Sequence, residues 1–315
     1  MVPKTNLCET GRFIMARTSG IIGIGHVGVT TAFNLVSKGI ADRLVLIDQK
    51  ADLAEGESYD LKDALGGLPT YTEIIVNDYD ALKDADVVIS AVGNIGAISN
   101  GDRIGETQTS KQALDDVAPK LKASGFHGVL LDITNPCDAV TSNWQYLLDL
   151  PKSQIIGTGT SLDTYRMRRA VAESLNVNVA DVRGYNMGEH GESQFTAWST
   201  VRINNEPIAD YAQVDYDQLA DAARAGGWKI YQAKHYTSYG IATIATEMTQ
   251  AIISDAKRIF PCANYDPEFG IAIGHPATIG KLGVVNTPKL KLTDEERAKY
   301  VHSAGIIKAT LEKMK

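Results

Sequence analysis

The sequence predicts an α/β protein: a doubly wound parallel sheet in the first half, followed by a mixed α+β domain in the second. Three observations predict it. Apolar segments of strand length alternate with amphipathic helical segments up to about residue 134. A glycine-rich turn joins the first strand to the first helix, and beyond Asn135-Pro136 the alternation gives way to helices mixed with paired strands. At 315 residues the chain exceeds what one hydrophobic core comfortably supports, so two domains are expected, 15–155 and 156–315.

The elements follow in order. "SGIIGIG" (Ser19 to Gly25) reads as a buried strand, and "HVGVTTAFNLVSKG" (His26 to Gly39) has helical spacing with a glycine stop. "DRLVLID" (Asp42 to Asp48) is a second strand and "ADLAEGESYDLKDAL" a second helix. "EIIVND", "ADVVISAVG" (Ala85 to Gly93) and "GVLLDIT" (Gly128 to Thr134) supply three more strands. Strands this apolar, separated by helical crossovers, belong in a parallel sheet covered on both faces. In the second half "SQFTAWSTVRINNEPI" (Ser193 to Ile208) reads as two strands around the turn "INNEP". A long helical pattern spans roughly Asp215 to Lys257, with Gly226-Gly227 and Gly240 interrupting it. The last helix, "TDEERAKYVHSAGIIKATLEKM", opens on a capping signal, Thr293 with Glu296 three residues on.

Composition excludes several function classes. With 44% hydrophobic and 22% charged residues the chain reads as an ordinary soluble globular protein. A net charge of −7 argues against a nucleic-acid surface, which needs clustered positive charge. No apolar run approaches the roughly 18 residues of a membrane span, and the first residues lack the features of a signal peptide. Cys8, Cys137 and Cys262 cannot all pair and have no metal-ligand spacing. A cytoplasmic enzyme or binding protein is expected, with neither nucleic acid nor membrane as partner.

"GIGHVG" places Gly23, Gly25 and Gly28 in GxGxxG spacing between strand and helix. Such glycines permit a tight turn, close approach of a pyrophosphate and tight helix–strand packing. Asp48 ends the second strand twenty residues after Gly28, where a carboxylate can bond a ribose hydroxyl pair. Together these indicate a Rossmann-type NAD-binding domain, since Asp48 would repel the 2′-phosphate of NADP; Lys50 is the one nearby cation.

At the other end of the chemistry, "YNMGEHGES" (Tyr185 to Ser193) holds His190 between Gly188 and Gly191. By itself this histidine could be a metal ligand, a proton carrier or a polar loop residue. In "GTGTSLDTYRMRRAV" (Gly157 to Val171), Asp163 and Arg166 are three apart and share a helix face. Spacing alone fits a surface ion pair worth at most about 1 kcal/mol. His26, His127, His235, His275 and His302 lie in no ligand pattern such as HExxH, so no metal site is expected.

Seven motifs in order, "GIGHVG", "ADVVISAVGN", "ITNPCD", "IGTGTSLDTYR", "GYNMGEHGES", "YTSYG" and "HPATIGKLGV", resemble the lactate/malate dehydrogenase superfamily. The resemblance runs from about Met15 to the C-terminus; residues 1–14 have no counterpart and are read as an extension outside the fold. "SGFHGVLL", "GEHGESQFTAWSTVR" and "HYTSYGIAT" are most similar to the L-2-hydroxyisocaproate dehydrogenases. The resemblance implies an NAD-dependent L-2-hydroxyacid dehydrogenase whose second domain is the substrate domain, assembled as a homotetramer. It implies His190 as proton donor to the substrate carbonyl, a role that an imidazole pKa of about 6.5 suits. Asp163 would orient His190, and Arg166 would clamp the substrate carboxylate with two prongs. Arg103, in "SNGDRIG", would close over the substrate from a mobile loop, given freedom by Gly96, Gly101 and Gly105. A loop arginine is otherwise most often a solvated charge.

The resemblance also places Gly93 and Asn135 beside the cofactor, with Asn135 contacting the substrate as well and preceding a cis proline. Thr237 would line the substrate and nicotinamide end. Arg168 and Arg183 match positions that bind fructose 1,6-bisphosphate between subunits of allosteric relatives, although paired surface arginines are common. The malate enzymes carry a loop arginine for a second carboxylate; "GNIGAISN" (Gly93 to Asn100) has no positive charge, which disfavours a dicarboxylate. This loop is a few residues shorter between Ile95 and Asp102 than in the hydroxyisocaproate enzymes. "AGGW" (Ala225 to Trp228) puts Gly227 where lactate dehydrogenases usually carry a slightly larger side chain, so a branched or aromatic 2-oxo acid is the expected substrate. Pyruvate is the alternative. A catalytically silent NAD-binding protein would have no reason to keep Arg103, Asp163, Arg166 and His190 together.

Overall fold

Six short apolar segments form a parallel sheet in the order β6-β5-β4-β1-β2-β3, the arrangement of a doubly wound dinucleotide fold. They are β1 (Thr18–Ile22), β2 (Arg43–Ile47), β3 (Glu73–Val76), β4 (Val87–Ser90), β5 (Val129–Asp132) and β6 (Ile155–Gly157). The structure, a computed structural model, describes residues 16–93, 103–211 and 214–314. The extension 1–14 and most of the loop 93–102 lie outside the described residues.

Alternation along each strand divides the core in two. Ile22, Val45 and Ile47 face a cluster built on α3 (Arg103–Ala123), α4 (Cys137–Leu147) and α8 (Asp294–Glu312), through Leu114, Trp144 and Ile307 among others. Ile21, Leu44 and Leu46 face the opposite cluster, built on α1 (His26–Ser37), α2 (Ala51–Leu65) and α7 (Tyr239–Ile253), with Leu35, Leu61 and Met248. Strands buried on both faces need apolar residues at consecutive positions, which is why these segments were readable as strands.

The second half contributes a smaller unit and also extends the first. β7 (Val182–Met187), β8 (Phe195–Ile203) and β9 (Glu206–Pro207) form an antiparallel sheet that packs with α5 (Ser161–Leu175) and α6 (Tyr216–Lys234). Asn204 and Asn205 take positive φ in the turn read from "INNEP". Three further strands, β10 (Arg258–Asp266), β11 (Ile271–Gly280) and β12 (Gly283–Asn286), join the large sheet antiparallel at β6, making nine strands. The sheet is therefore continuous through the expected division at 155/156, with β6 straddling it. The capping box of α8 forms as expected from Thr293 and Glu296.

Two expectations are corrected. The pattern from Asp215 to Lys257 is two helices, α6 and α7, broken at 235–238, where His235 adopts a left-handed conformation. Gly226 and Gly227 lie inside α6 and do not interrupt it. The fourth strand is also shorter than "ADVVISAVG", because only Val87 to Ser90 pair with neighbours on both sides. Among the described residues no helix is long and apolar enough to cross a membrane.

Candidate active site

The loop after β1 is shaped by its glycines. Gly23 has φ +97°, and a Cβ there would meet the Ala91 carbonyl oxygen at 2.4 Å; one on Gly28 would lie 1.9 Å from the Gly23 carbonyl oxygen. A Cβ on Gly25 would meet nothing within 4 Å. The open space therefore lies at the N-cap of α1, where no side chain caps the free amides and no acid occupies the first turn. Amides and helix dipole together make that space suited to an anion. The Asp48 carboxylate is tied to this loop, accepting the Ile24 amide at 2.8 Å on Oδ2 and the Lys50 amide at 2.9 Å on Oδ1. The residues present thus fit a dinucleotide: a cradle for its phosphates and an oriented carboxylate for a ribose.

The strand ends on the same side of the sheet carry the remaining chemistry. Asn135-Pro136 is cis, and the Asn135 carbonyl accepts the Ser110 hydroxyl at 2.6 Å. α5 begins just after β6, and its first turn is pinned by buried hydroxyls: Thr160 to the Asn186 carbonyl at 2.7 Å and Ser161 to the Pro261 carbonyl at 3.0 Å. This buries Asp163 completely, at 0% exposure, and points Arg166 the same way. After β7, Gly188 takes φ +88° and exchanges two backbone hydrogen bonds with Gly274, which turns the chain so that His190 meets α5. A side chain at Gly188 would press on Ser303.

His190 Nδ1 lies 2.5 Å from Asp163 Oδ2, and Arg166 Nη1 donates to Asp163 Oδ1 at 3.0 Å. The Asp163 charge raises the imidazole pKa above its ordinary value, outweighing burial. Burial pushes the Asp163 carboxyl upward, but His190 and Arg166 together hold it below the usual carboxylate range. Both directions favour imidazolium against carboxylate. The surface-pair account of Asp163 and Arg166 fails, because the Asp163 side chain is buried and that of Arg166 is mostly buried.

The NAD-binding domain of the lactate/malate dehydrogenases matches residues 19–157, and their alpha/beta C-terminal domain matches residues 160–315. The chain belongs to the lactate/malate dehydrogenase family. L-lactate dehydrogenase 1 of Bifidobacterium longum is 35% identical over 304 residues, covering 93% of this chain and 96% of that protein. A minor L-lactate dehydrogenase from Enterococcus mundtii in a ligand-bound crystal form superposes with a TM-score of 0.89 at 31% identity, covering 95% of this chain and 99% of that one. A Cryptosporidium parvum lactate dehydrogenase, complexed with lactic acid and nicotinamide adenine dinucleotide, gives 0.90 at 26% identity, covering 96% and 98%. The protein is an NAD-dependent oxidoreductase acting on a CH–OH group.

The dehydrogenase's other expected residues are distributed as follows. Gly93 has φ +146° beside Thr134 and Ser110, on the cofactor side of the strand ends. Thr237 lies in the 235–238 link, and Tyr236 beside it stacks on His26 at 3.8 Å between ring centroids. That stack fixes the link against the first residue of α1. His26 is exposed, yet its ring joins the start of α1 to the 235–238 link. α3 begins at Arg103, whose side chain, like Gly96 and Gly101, lies outside the described residues. Gly227 sits against Arg166: a Cβ there would fall 3.1 to 3.3 Å from the guanidinium. Arg168 is not a free surface cation. Its Nη2 donates to the Gly184 carbonyl at 3.1 Å and its Nε is buried without a partner among the described residues, while Arg183 is exposed on β7. Cys137 and Cys262 are buried free thiols.

Two features escaped sequence reading. One is the polar layer beneath α5, in which Thr164 accepts the Asn186 amide at 2.9 Å and Asn186 binds Gln194 and Thr196. The other is Asp138, whose Oδ2 accepts the His190 amide at 2.6 Å. It stood in the motif "ITNPCD", but nothing local distinguishes it from any acid in a first helical turn.

Proposed function

We propose that this dehydrogenase reduces 2-oxo acids with a branched or aromatic side chain to L-2-hydroxy acids, in the manner of the L-2-hydroxyisocaproate dehydrogenases. The observation that carries the chemistry is the buried chain His190–Asp163–Arg166. Asp163 occupies Nδ1 of His190 and so leaves Nε2 as the nitrogen that delivers a proton to the carbonyl oxygen. Arg166 spends one donor on Asp163 and keeps the others for the substrate carboxylate, a planar two-pronged contact. Gly23, Gly25, Gly28, Gly93, Asp48 and Asn135 would hold the cofactor, with Thr237 at its nicotinamide end. NADH, when bound, supplies a hydride to the carbonyl carbon. Arg103, at the first position of α3, would polarise the carbonyl. In the reverse direction neutral His190 takes the hydroxyl proton, and Asp163 stabilises the resulting charge.

The substrate side chain is argued from the apolar stretch 93–100 and from Gly227. A glycine beside the Arg166 guanidinium leaves room where a side chain would crowd it. The second reading, pyruvate as main substrate, is favoured by the names of the relatives, which are L-lactate dehydrogenases. Steady-state kinetics on pyruvate, 2-oxoisocaproate and phenylpyruvate separate the two. The bulkier acids are expected to exceed pyruvate in kcat/KM by roughly tenfold or more, as extra buried apolar groups allow. Gly227→Ala should raise KM across the panel, and a pyruvate preference in the wild type would overturn the substrate assignment. The family resemblance further supports a cytoplasmic homotetramer, with Arg168 and Arg183 as a bisphosphate site between subunits.

A further inference from the structure

Asp138 occupies the first turn of α4, directly after the cis Asn135-Pro136 bond, and only 2% of its surface is exposed. One oxygen accepts the His190 backbone amide at 2.6 Å. The other, Oδ1, is buried with no hydrogen-bond partner among the described residues. A buried carboxylate with one oxygen unsatisfied is an expensive way to accept one amide, which a neutral asparagine could do as well. The charge itself therefore needs an account.

The titratable groups whose fields couple to Asp138 are Cys137 on α4, Glu189 and His190 after β7, Asp163 on α5, Cys262 on β10 and Tyr300 on α8. Of these six, His190 alone can carry positive charge. His190 is thus held between two buried carboxylates, Asp163 on its ring and Asp138 on its backbone.

We propose that Asp138 is a positioning residue for the proton carrier: its hydrogen bond anchors the His190 loop to α4, and its buried charge keeps the imidazole protonated to a higher pH than Asp163 alone would. This rests on the reading of His190 as proton donor. The anchor also ties His190 to the turn that carries Asn135, so one helix start fixes both the proton carrier and the cofactor side. Burial pushes the Asp138 carboxyl up to about 7, with the His190 amide opposing. It therefore gains charge as pH rises through the range where an imidazole sheds its proton. The sign is fixed, since a negative neighbour raises an imidazole pKa and its removal lowers it. The two groups titrate as a coupled pair.

Asp138→Asn keeps an oxygen for the amide and removes the charge. The titration of His190 can be followed by NMR in the free protein with labelled histidine, His190→Asn identifying its signal. The midpoint is expected to fall by about one pH unit in Asp138→Asn, and the alkaline loss of kcat/KM for 2-oxo acid reduction should move with it. NADH binding, read by fluorescence, should be unchanged. Asp138→Ser provides a second neutral variant if the asparagine protein does not fold. Should the neutral variant titrate and turn over with the wild-type midpoint, the proposal is overturned, whatever happens to stability. Should His190→Asn retain turnover, the reading of His190 fails instead, and the NMR shift then reports electrostatics alone.

Discussion

Replacing His190 with asparagine is expected to lower kcat for 2-oxo acid reduction by on the order of 10³-fold, the usual reach of a positioned general acid. NADH affinity should hardly change. Asparagine is smaller but can still donate to Asp163, whose position is fixed independently by α5 and the hydroxyls of Thr160 and Ser161. What it cannot do is carry an exchangeable proton at neutral pH. The cradle for the cofactor is built from the loop after β1 and from Asp48, which His190 does not touch. Fluorescence titration with NADH and single-turnover absorbance separate the two effects. A variant that binds NADH normally and still turns over within tenfold of wild type would show that another group delivers the proton.

Arg166→Lys should lower kcat/KM for the 2-oxo acid by about 10³-fold, within the 2–5 kcal/mol cost of breaking a buried charge-paired contact. The expected loss falls mainly on KM for the acid, with KM for NADH near wild type. Lysine retains the charge but presents a single point donor, and cannot both bond Asp163 and grip a carboxylate with two parallel hydrogen bonds. The site magnifies this, because Asp163 is wholly buried and Gly227 packs on the guanidinium plane. A second consequence carries its own sign. The Arg166 charge opposes protonation of His190, so removing it, as in Arg166→Gln, should raise the imidazole pKa further. Initial-rate measurements over both substrates read the split; equal losses on acid and NADH would mean a collapsed site and not a lost carboxylate clamp.

The parallel half was legible because strands buried on both faces must be apolar at successive positions. "DRLVLID" predicted Asp42 to Asp48, and the strand runs from Arg43 to Ile47. The second half was less so, for identifiable reasons. Glycine marks a helix break and a tight packing contact with the same letter. Gly226 and Gly227 were read as the first, yet α6 runs through both and Gly227 serves as the second, while the actual break is made by His235 in a left-handed conformation. β10 to β12 join a sheet started more than a hundred residues earlier, which no local pattern encodes. Within the site, His190, Asp163 and Arg166 were legible only through the order of several motifs. Taken locally, Asp163 and Arg166 look like a surface pair, and their burial comes from Pro261 and Asn186 far along the chain. Asp138 lies 52 residues from His190 in sequence. The His26–Tyr236 stack likewise joins two residues that have no reason to be read together.

The central claim is that one imidazole, paired with Asp163, gives the proton in reduction and takes it in oxidation. The pH dependence of kcat/KM in both directions tests it most directly. His190 is raised above its ordinary value of about 6.5. Reduction needs the imidazolium, so kcat/KM for the 2-oxo acid should be flat at low pH and fall about tenfold per unit above that raised pKa. Oxidation of the L-hydroxy acid needs neutral imidazole, so its kcat/KM should rise with pH and level off above the same midpoint. Mirror-image profiles sharing one midpoint above 6.5 are the predicted result. Profiles that move in the same direction, or that share no midpoint, would contradict it.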